Sequence, residues 1–335
     1  MSSADTILLS LALPLLGALG IGLAGRWPNL RETVTLVTAA ALAVTVWSLA
    51  PAVLEGERPG VVVAEVFGNL TLAFSVEPLG MLFAALAATL WIVNSIYSIG
   101  YMRGNNEKHQ TRFYICFAIA ISAALGVAFA DNLLTLFLCY ELLTLSTYPL
   151  VSHKGDEATI RSARVYLGIL LGTSIGLLLP AIIWTYVIAG TLTFTPGGIL
   201  AGKIAGPAVG LLLGLYVFGV GTAAVMPVHR WLPAAMVAPT PVSALLHAVA
   251  VVKAGVFTVT KVIIYVFGVD NLFSEPSGGW LLYAAAFTII AASVVALRQH
   301  NLKRMLAYST IGQLSYVVMA AAVLTPLSEI GAAVH

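Results

Sequence analysis

Charge is what this sequence has least of. Asp, Glu, Lys and Arg together make up 9% of its 335 residues, against roughly 25% in a soluble domain. So few ionisable groups cannot cover a water-facing surface, and an ordinary soluble domain is excluded. Cysteine is nearly absent too. Cys116 and Cys139 both lie in apolar segments, which argues against a disulfide framework and leaves them as small core residues. No Cys/His set has metal-ligand spacing. No glycine cluster follows a strand in the manner of a phosphate loop. Ligands for a redox group are missing as well, so no cofactor is expected in this chain. The amino terminus lacks the basic stretch of a cleavable signal: residues 1–6 contain Asp5 and no Lys or Arg.

Apolar residues fill the space that charge leaves. They make up 60% of the chain and fall in runs long enough to cross a hydrocarbon core about 30 Å thick. The pattern predicts an all-α polytopic membrane protein with about ten complete spans. They lie near 7–24, 33–53, 78–101, 113–130, 132–151, 164–189, 207–226, 241–267, 279–297 and 303–324. An eleventh begins near Leu327 and stops at His335, as in an N-terminal portion of a longer subunit. Loops after odd-numbered spans, together with the first residues of the spans that follow them, hold twelve of the sixteen Lys and Arg residues, among them Arg103, Arg112, Arg161, Arg230 and Arg304. Loops after even-numbered spans hold only Arg58 and Lys203. This alternation predicts a multi-pass protein of an inner (plasma) membrane, its N-terminus outside and its odd loops cytoplasmic. Topology accounts for the basic loops, so nucleic acid is not an expected partner.

Two places depart from simple spans. Residues 61–66 and 70–76 are β-rich runs joined at Gly68-Asn69, which predicts a small external β-hairpin; an irregular loop is the other reading. After span seven, Pro227, Pro233, Pro239 and Pro241 crowd together. Each removes a backbone donor. The segment reads as a discontinuous helix of the kind that flanks ion sites in transporters, or else as a Pro-rich loop between two helices.

Ionisable residues inside spans carry the chemistry. Glu141 lies about 15 Å of helix rise beyond Asp131, in the middle of span five. Lys253 stands near the middle of span eight, six residues after His247. A charge at membrane depth costs roughly 2.5–3.5 kcal/mol on insertion scales and marks ion or proton transfer by default. A buried structural pair is the competing account of Glu141 and Lys253. His247 suits a relay through its reference pKa near 6.5, and equally a simple bond to a carbonyl. Lys261 lies two turns beyond Lys253 and is expected to snorkel towards the interface. Thr144, Thr222 and Ser243 are candidates for lining a hydrated path, although hydroxyls also bond backbone carbonyls in membrane helices.

These residues resemble a known family. The run from Pro227 through His229, Trp231, Pro233 and Pro239 to His247 resembles the signature of the antiporter-like subunits shared by respiratory complex I and Mrp-type cation/proton antiporters. Tyr140-Glu141-Leu142, the run Leu306 to Tyr316, and Glu77-Pro78-Leu79 match as well. The resemblance implies two inverted five-helix repeats. Residues 1–112 would then be three N-terminal helices with the hairpin at 57–77, residues 113–267 the first repeat, and residues 279–335 the start of the second. It places Glu141 at the family's span-five glutamate, His247 at its span-eight histidine and Lys253 at a span-eight lysine of Mrp-like members. One position departs. Where the resemblance puts a span-seven lysine, this chain has Thr222, which holds no proton.

The expected function is therefore a proton (or Na+/H+) translocating subunit of a multisubunit membrane complex. A carboxylate at Glu141 that approaches or leaves Lys253, or changes its own protonation, would switch the amine between holding and releasing a proton. The alternative is a non-pumping structural or coupling subunit that lost its relay at Thr222. Expected partners are other membrane subunits, lipid, and protons or Na+. Any NADH or quinone chemistry would belong to those partners.

Overall fold

Long apolar runs become long helices because a helix satisfies its own backbone where water is absent. The computed structural model describes residues 2–244 and 250–335. Among the described residues, eight helices are long and apolar enough to cross a membrane. The predicted seventh span is split into shorter pieces, and the predicted eighth includes residues outside those described. The chain forms two compact units, Met1–Ala163 with Val237–Val251, and Arg164–Met236 with Val252–His335.

The first unit contains α1 (Ser3–Leu23), α2 (Pro28–Trp47), the short α3 (Ala50–Leu54), a hairpin of β1 (Gly60–Phe67) and β2 (Leu70–Ser75), α4 (Pro78–Gly104), α5 (Gln110–Phe129) and α6 (Leu133–Val151). The strands are antiparallel, with Gly68 and Asn69 in the turn, so the predicted hairpin is present. Helix α5 is buried continuously from Ala120 to Phe129. An all-round apolar helix of this kind belongs in a core. Its alanines let neighbours approach: at Gly80 of α4, an added Cβ would strike the Ala128 carbonyl oxygen. At the opposite end of the unit, Arg31 and Glu32 are both buried. Arg31 donates to Gln110 at 2.8 Å and Arg103 donates to Glu32 at 2.9 Å, tying α2, α4 and α5 together.

The hairpin fixes the start of α6. Asn132 caps that helix by accepting from the Thr135 amide at 2.8 Å, and its own amide group donates to the Thr71 carbonyl at 2.9 Å. The Thr135 hydroxyl accepts from the Ala73 amide at 3.1 Å. An Asn cap satisfies an orphan donor of the first turn, and here the same side chain also grips the strand.

The second unit begins in α7 (Glu157–Thr173). Helix α7 continues through a π-helical turn, Ser174–Leu178, into α8 (Leu179–Ala189). Then come α9 (Pro207–Gly219), α10 (Trp231–Ala235), α11 (Thr240–Val242, assigned to the first unit), α12 (Val251–Lys261), a second π turn Val262–Phe267, α13 (Val269–Ser274), α14 (Trp280–Leu297), α15 (Leu302–Ala322) and α16 (Pro326–Val334). The wide turn at 262–267 leaves carbonyls available. The Ile199 and Leu200 amides donate to Tyr265 and Val266 at 3.1 and 2.9 Å, which pins loop 190–206 against the end of span eight. Trp280 of α14 stacks on Phe218 at 5.6 Å and donates to the Gly210 carbonyl at 3.3 Å.

Close approach at Gly80 gives a test with an internal control. Gly80→Ala is expected to destabilise by about 1–3 kcal/mol through overpacking against backbone. Gly100→Ala on the same helix meets open space and is expected to be neutral or stabilising by helix propensity. Thermal melting of the detergent-purified protein separates the two.

Candidate functional site

Glu141 lies near the middle of α6, half-buried. Thr144, one turn on, is fully buried and donates to the Tyr140 carbonyl at 3.1 Å. Pro239 and Ser243 flank α11 in the same unit, Pro239 buried and Ser243 half-buried. His247 lies outside the described residues.

The second unit holds the discontinuity. Helix α9 stops at Gly219, ahead of the prolines that were expected to break it. A 3-10 turn, Gly221–Ala223, follows, and then Ala224 in a left-handed conformation with φ 55°. Side-chain space explains the position of the break. A Cβ at Gly219 would lie 2.5 Å from the Leu178 amide nitrogen in the π turn, and one at Gly255 would lie 2.5 Å from the Thr222 carbonyl carbon. The prolines act later. Pro227 follows a cis peptide bond with Met226, while Pro233 sits inside α10 without interrupting it.

A helix that ends inside a membrane protein strands its carbonyls, and here they find partners. Trp231, with no exposed surface, donates its indole N–H to the Gly221 carbonyl at 2.8 Å. Its ring meets Tyr166 edge-on at 5.6 Å. The Met226 amide donates to the Thr288 hydroxyl at 3.2 Å. His229, half-buried, lies 6.1 Å from the Tyr308 ring. Two separate sequence motifs, Pro227–Pro239 and Leu306–Tyr316, thus meet here.

Thr222 is fully buried at the centre of the break. Helix α12 crosses it at Gly255, two residues and about 3 Å of rise beyond Lys253. Lys253 is half-buried in the first turn of α12. Within the second unit, the structure therefore brings Lys253's helix, Thr222 and Trp231 to one place. Glu141 belongs to the other unit.

Lys261 corrects the sequence reading. It does not snorkel: its exposure is 1%, and its ammonium lies 4.5 Å from the Phe194 ring centroid and 5.6 Å from that of Phe257. The pinned loop 190–206 brings Phe194 over the lysine, and aromatic faces attract the cation. Phe194 is remote in sequence, so nothing local to Lys261 signals this contact.

Residues 130–335 match the family described as NADH:quinone oxidoreductase/Mrp antiporter, TM. The chain belongs to this family. Among curated members, it is 32% identical over 333 residues to NADH-ubiquinone oxidoreductase chain 5 of Chondrus crispus, covering 93% of this chain and 49% of that protein. It is 30% identical over 255 residues to the putative antiporter subunit mnhA2 of Staphylococcus haemolyticus, covering 75% of this chain and 31% of that one. The chain thus spans less than half the length of these curated relatives. Among solved structures, a chain of the Mrp complex from a Dietzia species matches with TM-score 0.80 and 27% identity, over 98% of this chain and 35% of that one. A chain of the archaeal membrane-bound sulfane sulfur reductase shares the fold, with TM-score 0.79 and 22% identity over 95% of this chain and 65% of that one.

For this antiporter-family chain, sequence reasoning named Trp231 but missed what it does. Tyr166 and Thr288, which hold Trp231 and Met226 in place, carry no local signal beyond an aromatic or a hydroxyl in an apolar run.

Trp231→Phe keeps the buried ring and removes the donor to Gly221. It is expected to destabilise by about 1–3 kcal/mol, the range for an orphaned buried acceptor. Melting of the purified protein checks this, with Trp27→Phe, at an exposed tryptophan, as the comparison.

Proposed function

We propose that this chain is a proton or Na+/H+ translocating subunit of a multisubunit membrane complex, working through a relay of Glu141, His247 and Lys253. Family membership supports the general class, because its relatives include NADH-ubiquinone oxidoreductase chain 5 and a putative antiporter subunit. The observation that carries the proposal is the helix break in the second unit. Irregular backbone at membrane depth persists where it lines a cavity or is covered by protein, and transporter ion sites are typically built at such breaks. The helix bearing Lys253 packs directly on this one.

In this mechanism Glu141 and Lys253 share the task of holding a proton. A carboxylate brought near the amine favours its charged form; withdrawing or neutralising that carboxylate releases the proton. His247 would pass protons along span eight. Thr144, Thr222 and Ser243 would line the hydrated path. Partner subunits would supply any redox energy. The N-terminus would face outwards and the basic loops the cytoplasm, by charge bias.

A second reading has an observation in its favour. Thr222 sits fully buried at the break, where the family pattern would put a lysine. A chain that had lost its relay there would serve a structural or coupling role.

Flux measurements separate the two. Proton or sodium uptake into inverted vesicles carrying the intact complex is expected to fall about a hundredfold with Glu141→Gln and with Lys253→Ala, the usual scale for losing a proton-transfer group. Undiminished flux in both variants, with the complex assembled, would rule out this relay.

A further inference from the structure

We propose that His153, with Glu107 beside it, passes protons between the aqueous phase and Glu141 along one polar face of α6. The inference rests on Glu141 acting as a relay carboxylate. All of its residues belong to the first unit.

His153 lies two residues past the end of α6. Its side chain is 1% exposed, and its Nε2 lies 3.9 Å from a carboxylate oxygen of Glu107, whose side chain is 17% exposed. One group of the pair is shielded and the other reaches water. The imidazole packs edge-on against Phe113 at 5.8 Å. Among the described residues, neither ring nitrogen has a hydrogen-bond partner of good geometry. Buried polar atoms are rarely left so, and each instance calls for a reason. Packing alone would be served better by an apolar ring.

The surroundings set the charge state. Burial first, then the positive charges of Arg112, His109 and Lys154, push the ring down to about 4, against a weaker pull from the Lys108 backbone. Arg112 does not occupy the ring; it donates to the His153 carbonyl at 3.1 Å. The imidazole is therefore neutral at pH 7, with one N–H and one lone pair. That form suits a shuttle. A proton passed from a Glu107 carboxyl to Nε2 gives a short-lived imidazolium beside the carboxylate left behind. Release of the Nδ1 proton to the polar stripe of α6 restores a neutral ring, and tautomer exchange resets it.

Helical spacing supplies the route. Glu141, Thr144, Tyr148 and Ser152 fall at i, i+3, i+7 and i+11, one stripe of a helix, with Thr147 beside it. Thr144 and Thr147 are buried. The stripe runs from the carboxylate to the last residue before His153, about 18 Å of rise from Glu141 to His153. Polar side chains are spaced along this whole length.

The test uses the intact complex in inverted vesicles. His153→Phe keeps the contact with Phe113 and removes both nitrogens. It is expected to slow flux about tenfold or more at pH 8, where protons are scarce, and less at pH 6. His153→Ala is expected to show the same defect and to regain flux with added imidazole, a rescue that a purely structural role would not give. Glu141→Gln runs in parallel. If it abolishes flux while His153→Phe leaves rate and pH profile unchanged, the shuttle is wrong and the relay stands. If Glu141→Gln itself leaves flux intact, both fall.

Discussion

One hydrogen bond holds the centre of the second unit. A helix interrupted among apolar neighbours exposes backbone groups that no water can satisfy, each of which would otherwise cost a few kcal/mol. The indole of Trp231 answers the Gly221 carbonyl across the gap, and Tyr166 holds the indole in place. The 3-10 turn, the left-handed Ala224 and the seat of Thr222 all lie within or next to the stretch that this bond spans. Without that donor the Gly221 carbonyl would be left buried and unpaired.

Close packing fixes where the interruption falls. Gly219 and Gly255 let backbones of the π turn and α12 reach distances that any side chain would forbid. The prolines keep the chain from resuming as one straight rod, but they do not choose the breakpoint. The two π turns at 174–178 and 262–267 belong to the same economy: wide turns redirect helix faces and leave carbonyls for neighbouring segments. At 265–266 those carbonyls anchor the loop that carries Phe194 over Lys261.

How much of this the sequence discloses depends on the range of the interaction. Span five was expected at 132–151 and α6 runs Leu133–Val151, because a long apolar run between polar ends needs no tertiary information. The hairpin was legible from Gly68-Asn69 between β-rich runs. Span seven was legible only as broken, with the break expected at its prolines. The glycines that set it meet partners far along the chain, and periodicity carries no trace of that. Residue types at the candidate site could be named, Glu141 and Lys253 above all, because charge in an apolar run is conspicuous. Partners could not. Lys261 looked like an interfacial lysine until a distant loop was seen to cover it. His153 carries no signal in the sequence, since only the fold shows it buried.

The hairpin has a mechanical aspect. Asn132 clasps the first turn of α6 with its carbonyl oxygen and strand β2 with its amide, and Thr135 adds a second fastening one turn along. A sheet and a helix joined by side chains at two points are mechanically coupled, so a force on the hairpin reaches the axis on which Glu141 rides without any contact near the carboxylate itself.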